Sequence, residues 1–567
     1  MTFNIKTNAN SELKASLDKV SLDLRSSIKQ LKTASQIDYW ESEAESTFVK
    51  VLQSFGYYES LIEVIREEGK NSEEILLTFE INIGDRYRIK NVDIKFTSDG
   101  NKQIKNIPIN KLKTRVGDYI NASLVEKDEE KILDYIEKNN CLLSLSVSHQ
   151  AIVDHLNDEV SITFLINAGP FATVEKIELT GLTSLKESYV KKLTGLKEGQ
   201  CYKQTYIVDA RSELQKSSLF LSSTPSVPEN VNDKNEIPVT FDFKERKLRS
   251  IKFGINYDTD IGLNGVLGWQ HRNLFGAGEN VKVKLDSNIT NQSFELNYQK
   301  PFFLRDDQLL RVENKYEHSK EKSFDTKEGN IGVFIDRKVS KYSKAGIGSQ
   351  FSGIKEKKKN NKDNSQEFYL LSLPTYLEHD KRDNLLSSTK GYLARLDIEP
   401  FSSIKFNKSP FFKLKFTSSA YYSFSNQMTL AMRASTGSIF SKLDDSSIPL
   451  NERFLIGGSG SVRGYGHNLI GQSDIEGLVL GGRSFVELSN ELRFKLRNNL
   501  GFVMFLDGGR TYNKKIAKIN NLLFGAGFGL RYYTDFAPLR LDIAFPTKRR
   551  DSLDKSIQLY FGIGQSF

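Results

Sequence analysis

The sequence predicts two successive parts: three repeated α+β modules, then an antiparallel transmembrane β-barrel of about sixteen strands. One observation is a strand–turn–strand pattern that recurs three times before residue 247. Another is the loss of helical periodicity beyond that residue, and a third is the alternation of apolar with polar or glycine residues near the C terminus. We assign the modules to residues 1–86, 87–171 and 172–246, and the barrel to residues 247–567.

Composition narrows the class of protein. The 567 residues are 38% hydrophobic and 27% charged, and no apolar run approaches the roughly eighteen residues of a transmembrane helix. Barrel strands need no such run, because only alternate residues face lipid. The net charge of +9 comes from scattered lysines. Since no arginine–aromatic signature accompanies it, we expect no nucleic-acid partner.

The two cysteines are assigned to different modules. Cys141 lies in the second predicted module and Cys201 in the third. Small free thiols are commonly buried as apolar groups. We therefore expect two isolated thiols and no structural disulfide.

Each module is predicted to contain a strand, two helices and two further strands. In the first module, apolar residues recur at helical spacing over residues 41–55, and Gly56 follows as expected just past a helix C terminus. The strand Leu61–Ile65 comes next. Residues 124–136 and 206–214 have the corresponding helical pattern in the second and third modules.

The barrel pattern is clearest in the last strands. One face of the final segment is predicted to carry Ile557, Leu559, Phe561, Ile563 and Phe567, with Gln565 as the exception. This arrangement fits apolar side chains toward lipid and small or polar ones toward water. The same alternation of faces along the barrel strands predicts that four carboxylates point into the lumen. They are Asp507, Glu487, Glu491 and, as a further candidate, Asp542.

A glycine-rich loop at residues 457–466, Gly-Gly-Ser-Gly-Ser-Val-Arg-Gly-Tyr-Gly, carries a single cation, Arg463. A guanidinium group stays charged at any accessible pH, so a buried arginine needs a carboxylate with matching fork geometry. We predict that the loop folds back to deliver Arg463 to a buried carboxylate. The alternative is that Arg463 caps a surface turn.

Several motifs occur in order along the barrel. They are Arg272–Gly276, Asp380–Asn384, Val462–Tyr465, Phe505–Gly509, Gly527–Tyr533 and Pro538–Asp542. Together with the preceding modules, this series resembles the POTRA–β-barrel superfamily, which inserts or exports proteins at the bacterial outer membrane. The three modules make the chain look most like the TamA group, from the translocation and assembly module. BamA typically has five such modules, and two-partner-secretion transporters have two.

The resemblance implies a site and a set of partners. It implies a loop latch of Val462, Arg463, Gly464 and Tyr465 that meets Asp507. It also implies outer-membrane location with periplasmic modules, and hence a signal peptide that this sequence does not include. The implied partners are the lipid bilayer, unfolded outer-membrane clients such as autotransporters, and a TamB-like protein anchored in the inner membrane. The implied clients are captured as added β-strands.

The line of barrel closure is the second predicted functional feature. We expect the first strand, near residues 248–258, to meet the last strand at residues 557–567, with Gly254, Gly562, Gly564 and Phe567 along the seam. Glycines weaken strand packing, so a short pairing could open sideways. Alternatively, the glycines merely relieve crowding in the lumen. A crosslink between Ile251 and Phe561 is expected to lock the seam.

Enzymatic interpretations find little support. Ser459 lacks the final glycine of a nucleophile elbow, and Gly525–Gly529 is misspaced for a dinucleotide-binding loop. His379, Asp380 and Asp383 fit a solvated turn better than a metal site. We therefore expect no enzymatic activity, no cofactor and no metal. The alternative functions are a two-partner-secretion transporter and a passive outer-membrane pore.

Overall fold

The computed structural model describes most of the chain in two compact units. The described residues are 2–9, 11–28, 33–68, 75–97, 104, 107–359, 365–404, 410–442, 448–475, 477–496, 499–534, 537–551 and 553–567. One unit comprises Met1–Gly181, Leu193–Ser217 and Ser222–Lys244. The other comprises Leu182–Lys192, Ser218–Leu221 and Glu245–Phe567.

The first module is a three-stranded mixed sheet covered by two helices. Its elements are β1 (Thr2–Thr7), α1 (Ser11–Ile28), α2 (Ala34–Ser54), β2 (Leu61–Glu68) and β3 (Ile75–Asn82). The central strand β3 runs parallel to β1 and antiparallel to β2. Thr33 begins α2 with a capping box, which satisfies backbone donors at the helix start. Trp40 and Phe48 of α2 pack edge-on against Phe79 of β3 and form the core.

The second module has the same strand order with a different helical layer. It contains β4 (Arg88–Phe96), α3 (Ala122–Asn139), β5 (Leu145–Asp154) and β6 (Glu159–Ala168). The prediction of two α-helices is wrong for the described residues of this module, where a 3-10 turn at Ile109–Lys111 accompanies α3. The buried carboxylate of Asp128 accepts the backbone N–H groups of Lys113 and Thr114, each at 2.7 Å, and so ties that turn region to α3.

The third module contains two helices and three strands. They are β7 (Thr173–Thr180), α4 (Glu187–Thr194), α5 (Gln204–Lys216), β8 (Phe220–Ser226) and β9 (Glu236–Glu245). The strand order is β7-β9-β8, with β7 parallel to β9. The mixed sheet, with its middle strand last in sequence, is therefore common to the three modules.

Cys141 and Cys201 form a disulfide, so the expectation of two free thiols is wrong. The backbone between the second and third modules brings them together. Ala172 donates its N–H to the carbonyl of Cys141 at 2.8 Å, and the adjacent Thr173 forms a β-bridge with Cys201. The two Cα atoms lie 5.1 Å apart, a separation that a disulfide spans. Assignment to separate modules does not reveal this contact, because both cysteines lie at the junction.

The described part of the second unit closes into an antiparallel barrel. Its strands are β10 (Arg249–Asp258), β11 (Gly262–His271), β12 (Asn280–Ser287), β13 (Asn291–Pro301), β14 (Gln308–Lys320), β15 (Phe324–Lys338), β16 (Ser343–Lys358), β17 (Ser365–Ser372), β18 (Thr375–Asp380), β19 (Gly391–Ser403), β20 (Phe411–Ser423), β21 (Met428–Ser441), β22 (Ser484–Lys495), β23 (Leu500–Tyr512), β24 (Leu523–Tyr532), β25 (Leu539–Pro546) and β26 (Gln558–Ile563). Both β17 and β18 pair with β16 and with β19, so they form one strand interrupted at Leu373 and Pro374. The described segments therefore make sixteen strands, as the sequence predicts.

Strand phase in the barrel follows the predicted alternation. In β23, Met504 and Leu506 are about half exposed, whereas Val503, Phe505 and Asp507 are buried on the other face. Among the described residues, the helices are too short or too polar to cross a bilayer. In β23 the apolar residues therefore lie on the exposed outer face, and Asp507 lies on the buried inner face.

Candidate functional site

The connection between β21 and β22 folds back into the barrel and carries residues 457–466, here called the latch loop. Val462, Arg463 and Tyr465 are completely buried. The loop passes close to β24 at Gly525, where an added Cβ would lie 1.7 Å from the carbonyl oxygen of Arg463. Gly464 adopts a positive φ of 94° and lies against the backbone of Phe545. Glycine at both positions therefore permits the loop to lie directly against β24 and β25.

Arg463 binds Asp507 in fork geometry. Its Nε lies 2.7 Å from Oδ2 of Asp507, and its Nη2 lies 3.0 Å from Oδ1. The backbone N–H of Arg463 also donates to Asp507 Oδ2 at 3.2 Å. The guanidinium carbon lies 3.5 Å from the centre of the Phe505 ring, which covers one face of the cation. The loop is thus held by both its backbone and its side chain.

Two of the other predicted lumen carboxylates complete the surroundings of Arg463. Its Nη1 donates to Glu491 Oε1 at 2.7 Å and to Asp542 Oδ2 at 3.3 Å. Arg493 binds the second oxygen of Glu491, and Arg531 binds the second oxygen of Asp542. Ser489 donates to Asp507. A buried network that shares every carboxylate between donors offsets the cost of removing these charges from water.

Glu487 lies apart from this network. It binds Arg433 and accepts a hydrogen bond from Ser461 Oγ at 2.8 Å. Arg433 also donates to the carbonyl of Gly460 at 2.9 Å. Glu487 therefore holds the first half of the latch loop, whereas Asp507 holds its arginine.

The latch loop also binds both strands at the line of barrel closure, here called the seam. Ser459 Oγ donates to Asp258 Oδ2 at the end of β10, at 2.8 Å. Gly464 donates its N–H to the hydroxyl of Tyr560 in β26 at 3.2 Å. The predicted sites did not include Asp258 and Tyr560. Alternation along their strands predicts that both side chains point into the lumen. It does not predict which residues they contact there.

The seam itself is short. β10 and β26 pair at Tyr257–Phe561 and Asp258–Tyr560. Beyond this pairing, Thr259 donates its N–H to the carbonyl of Leu559 at 3.1 Å, and its Oγ1 accepts the N–H of Leu559 at 3.1 Å. Gln558 Nε2 also donates to Asp260 Oδ1 at 3.0 Å. The earlier part of β10, from Arg249 to Asn256, pairs with β11 alone among the described strands. The strand that begins the barrel therefore presents a free backbone edge over most of its length.

The register corrects part of the predicted seam. Phe561 lies opposite Tyr257, so the proposed crosslink from Ile251 to Phe561 is six positions out of register. Gly254 lies on the free edge of β10 rather than opposite β26, and its described strand partner is Val266 of β11. Gly562 belongs to β26 and pairs with Arg540 of β25.

The C-terminal residues turn away from the predicted outward face. β26 ends at Ile563, and Gly564 has a φ of 95°, which breaks the alternation of faces. The carbonyl of Phe567 accepts a hydrogen bond from Arg493 at 3.1 Å, and its ring lies against Arg433 and Arg493. Gly564 and Phe567 therefore leave the seam, and Phe567 lies on the lumen side.

Comparison with known proteins adds a family context. The family model described as the Omp85 superfamily domain matches residues 273–567, and the POTRA model, described as a surface antigen variable number repeat, matches residues 172–246. The chain is 22% identical over 516 residues to the outer membrane protein assembly factor BamA of Neorickettsia risticii, covering 87% of this chain and 68% of that protein. It is 20% identical to BamA of Neisseria meningitidis serogroup B, covering 74% of this chain and 60% of that protein.

Solved structures share the fold at low identity. BamA from Haemophilus ducreyi lacking POTRA domains 1-3 superposes with a TM-score of 0.64 at 18% identity, covering 84% of this chain and 100% of that chain. CdiB from Acinetobacter baumannii has a TM-score of 0.52 at 12% identity, covering 98% of this chain and 99% of that chain. The chain spans between 45% and 68% of the length of four BamA relatives that it matches.

Proposed function

The chain belongs to the Omp85 superfamily, and from this premise we propose that it assembles or translocates β-rich proteins at the bacterial outer membrane. The observation that carries the proposal is the seam, where β10 and β26 share two paired positions. A free strand edge accepts another strand through main-chain hydrogen bonds. The edge of β10 is thus the surface on which a client strand is templated.

The latch loop couples this edge to the barrel interior. It is bound to Asp258 on one side of the seam and to Tyr560 on the other. Separation of the two strands therefore breaks at least one of these contacts. We infer that the Arg463–Asp507 pair holds the loop in place while the seam opens and closes.

The modules supply further strand edges. In the sheets of the first two modules, β1 and β2, and then β4 and β5, are the outer strands. We propose that these edges hold an extended client before it reaches β10. Templated pairing and local disturbance of the bilayer drive assembly, with no covalent step, cofactor or metal.

We also propose a narrower function, that of a TamA-like protein. It includes autotransporter-type clients and a TamB-like partner anchored in the inner membrane. The three modules of this sequence support it. Co-purification of the full chain from its native membrane, followed by mass spectrometry, tests the partner. Recovery of one dedicated exoprotein in place of a TamB-like protein favours a two-partner-secretion transporter.

Locking the seam tests the main proposal. Tyr257→Cys with Phe561→Cys places two thiols at a paired, outward-facing position. Cys141 and Cys201 are replaced by serine in every variant, so that the native disulfide does not interfere. Oxidation is expected to stop insertion of a β-barrel client into proteoliposomes, and reduction is expected to restore it.

A matched control locks a different strand pair. Ile331→Cys with Phe351→Cys joins β15 to β16 at another outward-facing paired position. This variant is expected to insert the client at the native rate in both redox states. Full insertion by the oxidised seam variant, with the crosslink verified by gel mobility, would show that the seam need not open.

A further inference from the structure

We propose that the lumen side of the seam contains a carboxylate-binding site centred on Arg540, and that it receives an acidic side chain of the incoming strand. The second part rests on the proposed function. The site consists of Arg540 and Arg531 with Gln565 beside them, and it is called the anion seat below.

Unsatisfied donors define the anion seat. Nε and Nη1 of Arg540 are buried, and neither has a hydrogen-bond acceptor among the described residues. The same holds for Nη2 of Arg531 and Nε2 of Gln565. These groups are adjacent, since Arg531 Nε donates to Gln565 Oε1 at 3.0 Å. Buried donors without acceptors are costly, and those of a guanidinium group are especially so.

Three of the nearby carboxylates are engaged by other arginines, and a fourth, Asp258 of β10, accepts a hydrogen bond from Ser459. Glu491 is shared by Arg463 and Arg493, and Asp507 is held by Arg463. Asp542 is shared by Arg463 and Arg531. Arg540 faces Arg531 directly across the β24–β25 pair. Like charges at opposed positions of a sheet destabilise it, so an added anion here relieves both repulsion and unsatisfied donors.

A glycine lies next to Arg540 on its seam side. Gly562 of β26 pairs with Arg540, and a Cβ built on it would lie 3.4 Å from Arg540 Nε and 3.3 Å from Asn256 Oδ1 of β10. The row Arg531, Arg540, Gly562 and Asn256 thus crosses from β24 to the free edge of β10 on the lumen face. A strand inserted between β26 and β10 would place one inward side chain in this row, beside the glycine and within reach of Arg540.

The position of the anion seat favours a polypeptide carboxylate over a lipid phosphate. Neighbouring outward residues such as Leu541 and Phe561 are exposed on the opposite face, where lipid lies. The anion seat faces the lumen, where Arg463, Arg493 and Arg531 each bind a carboxylate. An aspartate or glutamate on the inward face of a client strand therefore has the matching chemistry.

A double-mutant cycle tests the anion seat without any client. Gly562→Asp supplies a carboxylate at the glycine, and Gly562→Asn supplies the same shape without charge. The full chain in detergent is expected to resist heat unfolding to a higher temperature with Gly562→Asp than with Gly562→Asn. This difference is expected to vanish when Arg540→Gln is added. Equal midpoints for the aspartate and asparagine variants, or a difference that persists with Arg540→Gln, overturn the anion seat.

A strand peptide tests its occupant. The probe is a labelled ten-residue peptide with alternating apolar residues and one inward glutamate, compared with its glutamine counterpart. We expect about tenfold tighter binding of the glutamate peptide to the full chain, as for one charged hydrogen bond. The preference should disappear in Arg540→Gln and survive in Arg395→Gln, whose arginine is paired with Glu378 and Asp397.

The outcomes separate the two proposals. Equal binding of both peptides to the native chain, or a glutamate preference that survives Arg540→Gln, overturns the client carboxylate as occupant. A chain that binds neither peptide contradicts strand capture at the seam, and with it the role of the anion seat toward clients. The double-mutant cycle then still decides whether Arg540 binds a carboxylate.

Discussion

Two sides of the barrel differ in how their strands are joined. On the side called the wall, β14, β15 and β16, fifteen residues of β15 pair with β16 and thirteen with β14. At the seam, two residues of β10 pair with β26. With about 0.5–1.5 kcal/mol net for each hydrogen bond, the β15–β16 pairing outweighs the seam by on the order of 10 kcal/mol. The seam is therefore by far the weaker of these two pairings.

The barrel stays closed at its weak seam by a different kind of contact from the one that holds the wall. The wall is held by a continuous backbone ladder, which separates only if many hydrogen bonds break together. The seam is also held by side-chain contacts with the latch loop: Ser459 Oγ donates to Asp258, and the Tyr560 hydroxyl accepts the backbone N–H of Gly464. Side-chain contacts can be released singly, without unzipping a sheet. Three variants test this contrast, and their expected effects decrease in the order given.

Removal of the latch cation is expected to have the largest effect. Arg463→Ala leaves Asp507 and Glu491 as buried charges without their central partner, at a cost of about 3–5 kcal/mol. The latch loop should then become sensitive to protease in the folded barrel. Limited proteolysis of the full chain in detergent, with mapping of the cut sites, measures this.

The control for that variant is an arginine outside the latch network. Arg395→Ala removes a partly exposed ion pair with Glu378 and Asp397. It should leave the loop protected, because exposed pairs contribute about 0–1 kcal/mol. If the loop resists protease equally in both variants, Arg463 does not act as its latch.

A methyl group added to β24 beside the latch loop is expected to have an intermediate effect on stability. Gly525→Ala places its Cβ 1.7 Å from the carbonyl of Arg463, so the loop must move, at about 1–3 kcal/mol. Gly329→Ala on the wall meets nothing within 4 Å and should be nearly neutral. Comparison of heat unfolding in SDS measures both. Equal unfolding midpoints for the Gly525→Ala and Gly329→Ala variants would mean that the latch loop does not pack closely against β24.

The smallest expected effect concerns the end of β9, just before the barrel begins. Glu245 accepts hydrogen bonds from the backbone N–H groups of Thr183 and Ser184, at 2.8 and 3.0 Å. Burial raises the pKa of Glu245, but the hydrogen bonds from Ser184 and Thr183 lower it more, to about 2 from an ordinary 4.5. The carboxylate therefore stabilises the fold fully above pH 4.5, and this stability is lost as the pH falls toward 2.

The measurement for Glu245 is the pH dependence of unfolding. Glu245→Gln should lose about 1 kcal/mol at neutral pH, since the group is partly exposed. Its stability should also fall less steeply than that of the native chain between pH 5 and pH 3. Glu229→Gln, in the exposed loop before β9, is the control. Parallel pH profiles for the native chain and Glu245→Gln would show that the Glu245 carboxylate does not stabilise the end of β9.

The sequence predicts the barrel well because its signal is local. Alternation along β23 assigns Asp507 to the lumen, and the structure buries it there. A buried Arg463 requires an anion, and alternation along their strands also predicts that Glu491 and Asp542 point into the lumen. Which carboxylate binds which arginine depends on the stagger between strands, and no single strand encodes that stagger.

The errors share a physical cause. The seam register depends on how far β26 extends, and a positive φ at one residue, Gly564, ends that strand. Alternation alone continues through Phe567 and so assigns it to the wrong face. Likewise, Arg540 shows its inward phase in the sequence, but its lack of an acceptor emerges only from the positions of three neighbouring arginines.

The Cys141–Cys201 bond has a consequence for when the chain folds. Disulfides persist in oxidising compartments such as the periplasm and are reduced in the cytosol. The bond links residues 60 positions apart, so it closes only once the second and third modules have met. Under the proposed outer-membrane location, this bond therefore forms after export, and it locks a junction between modules that have already folded against each other.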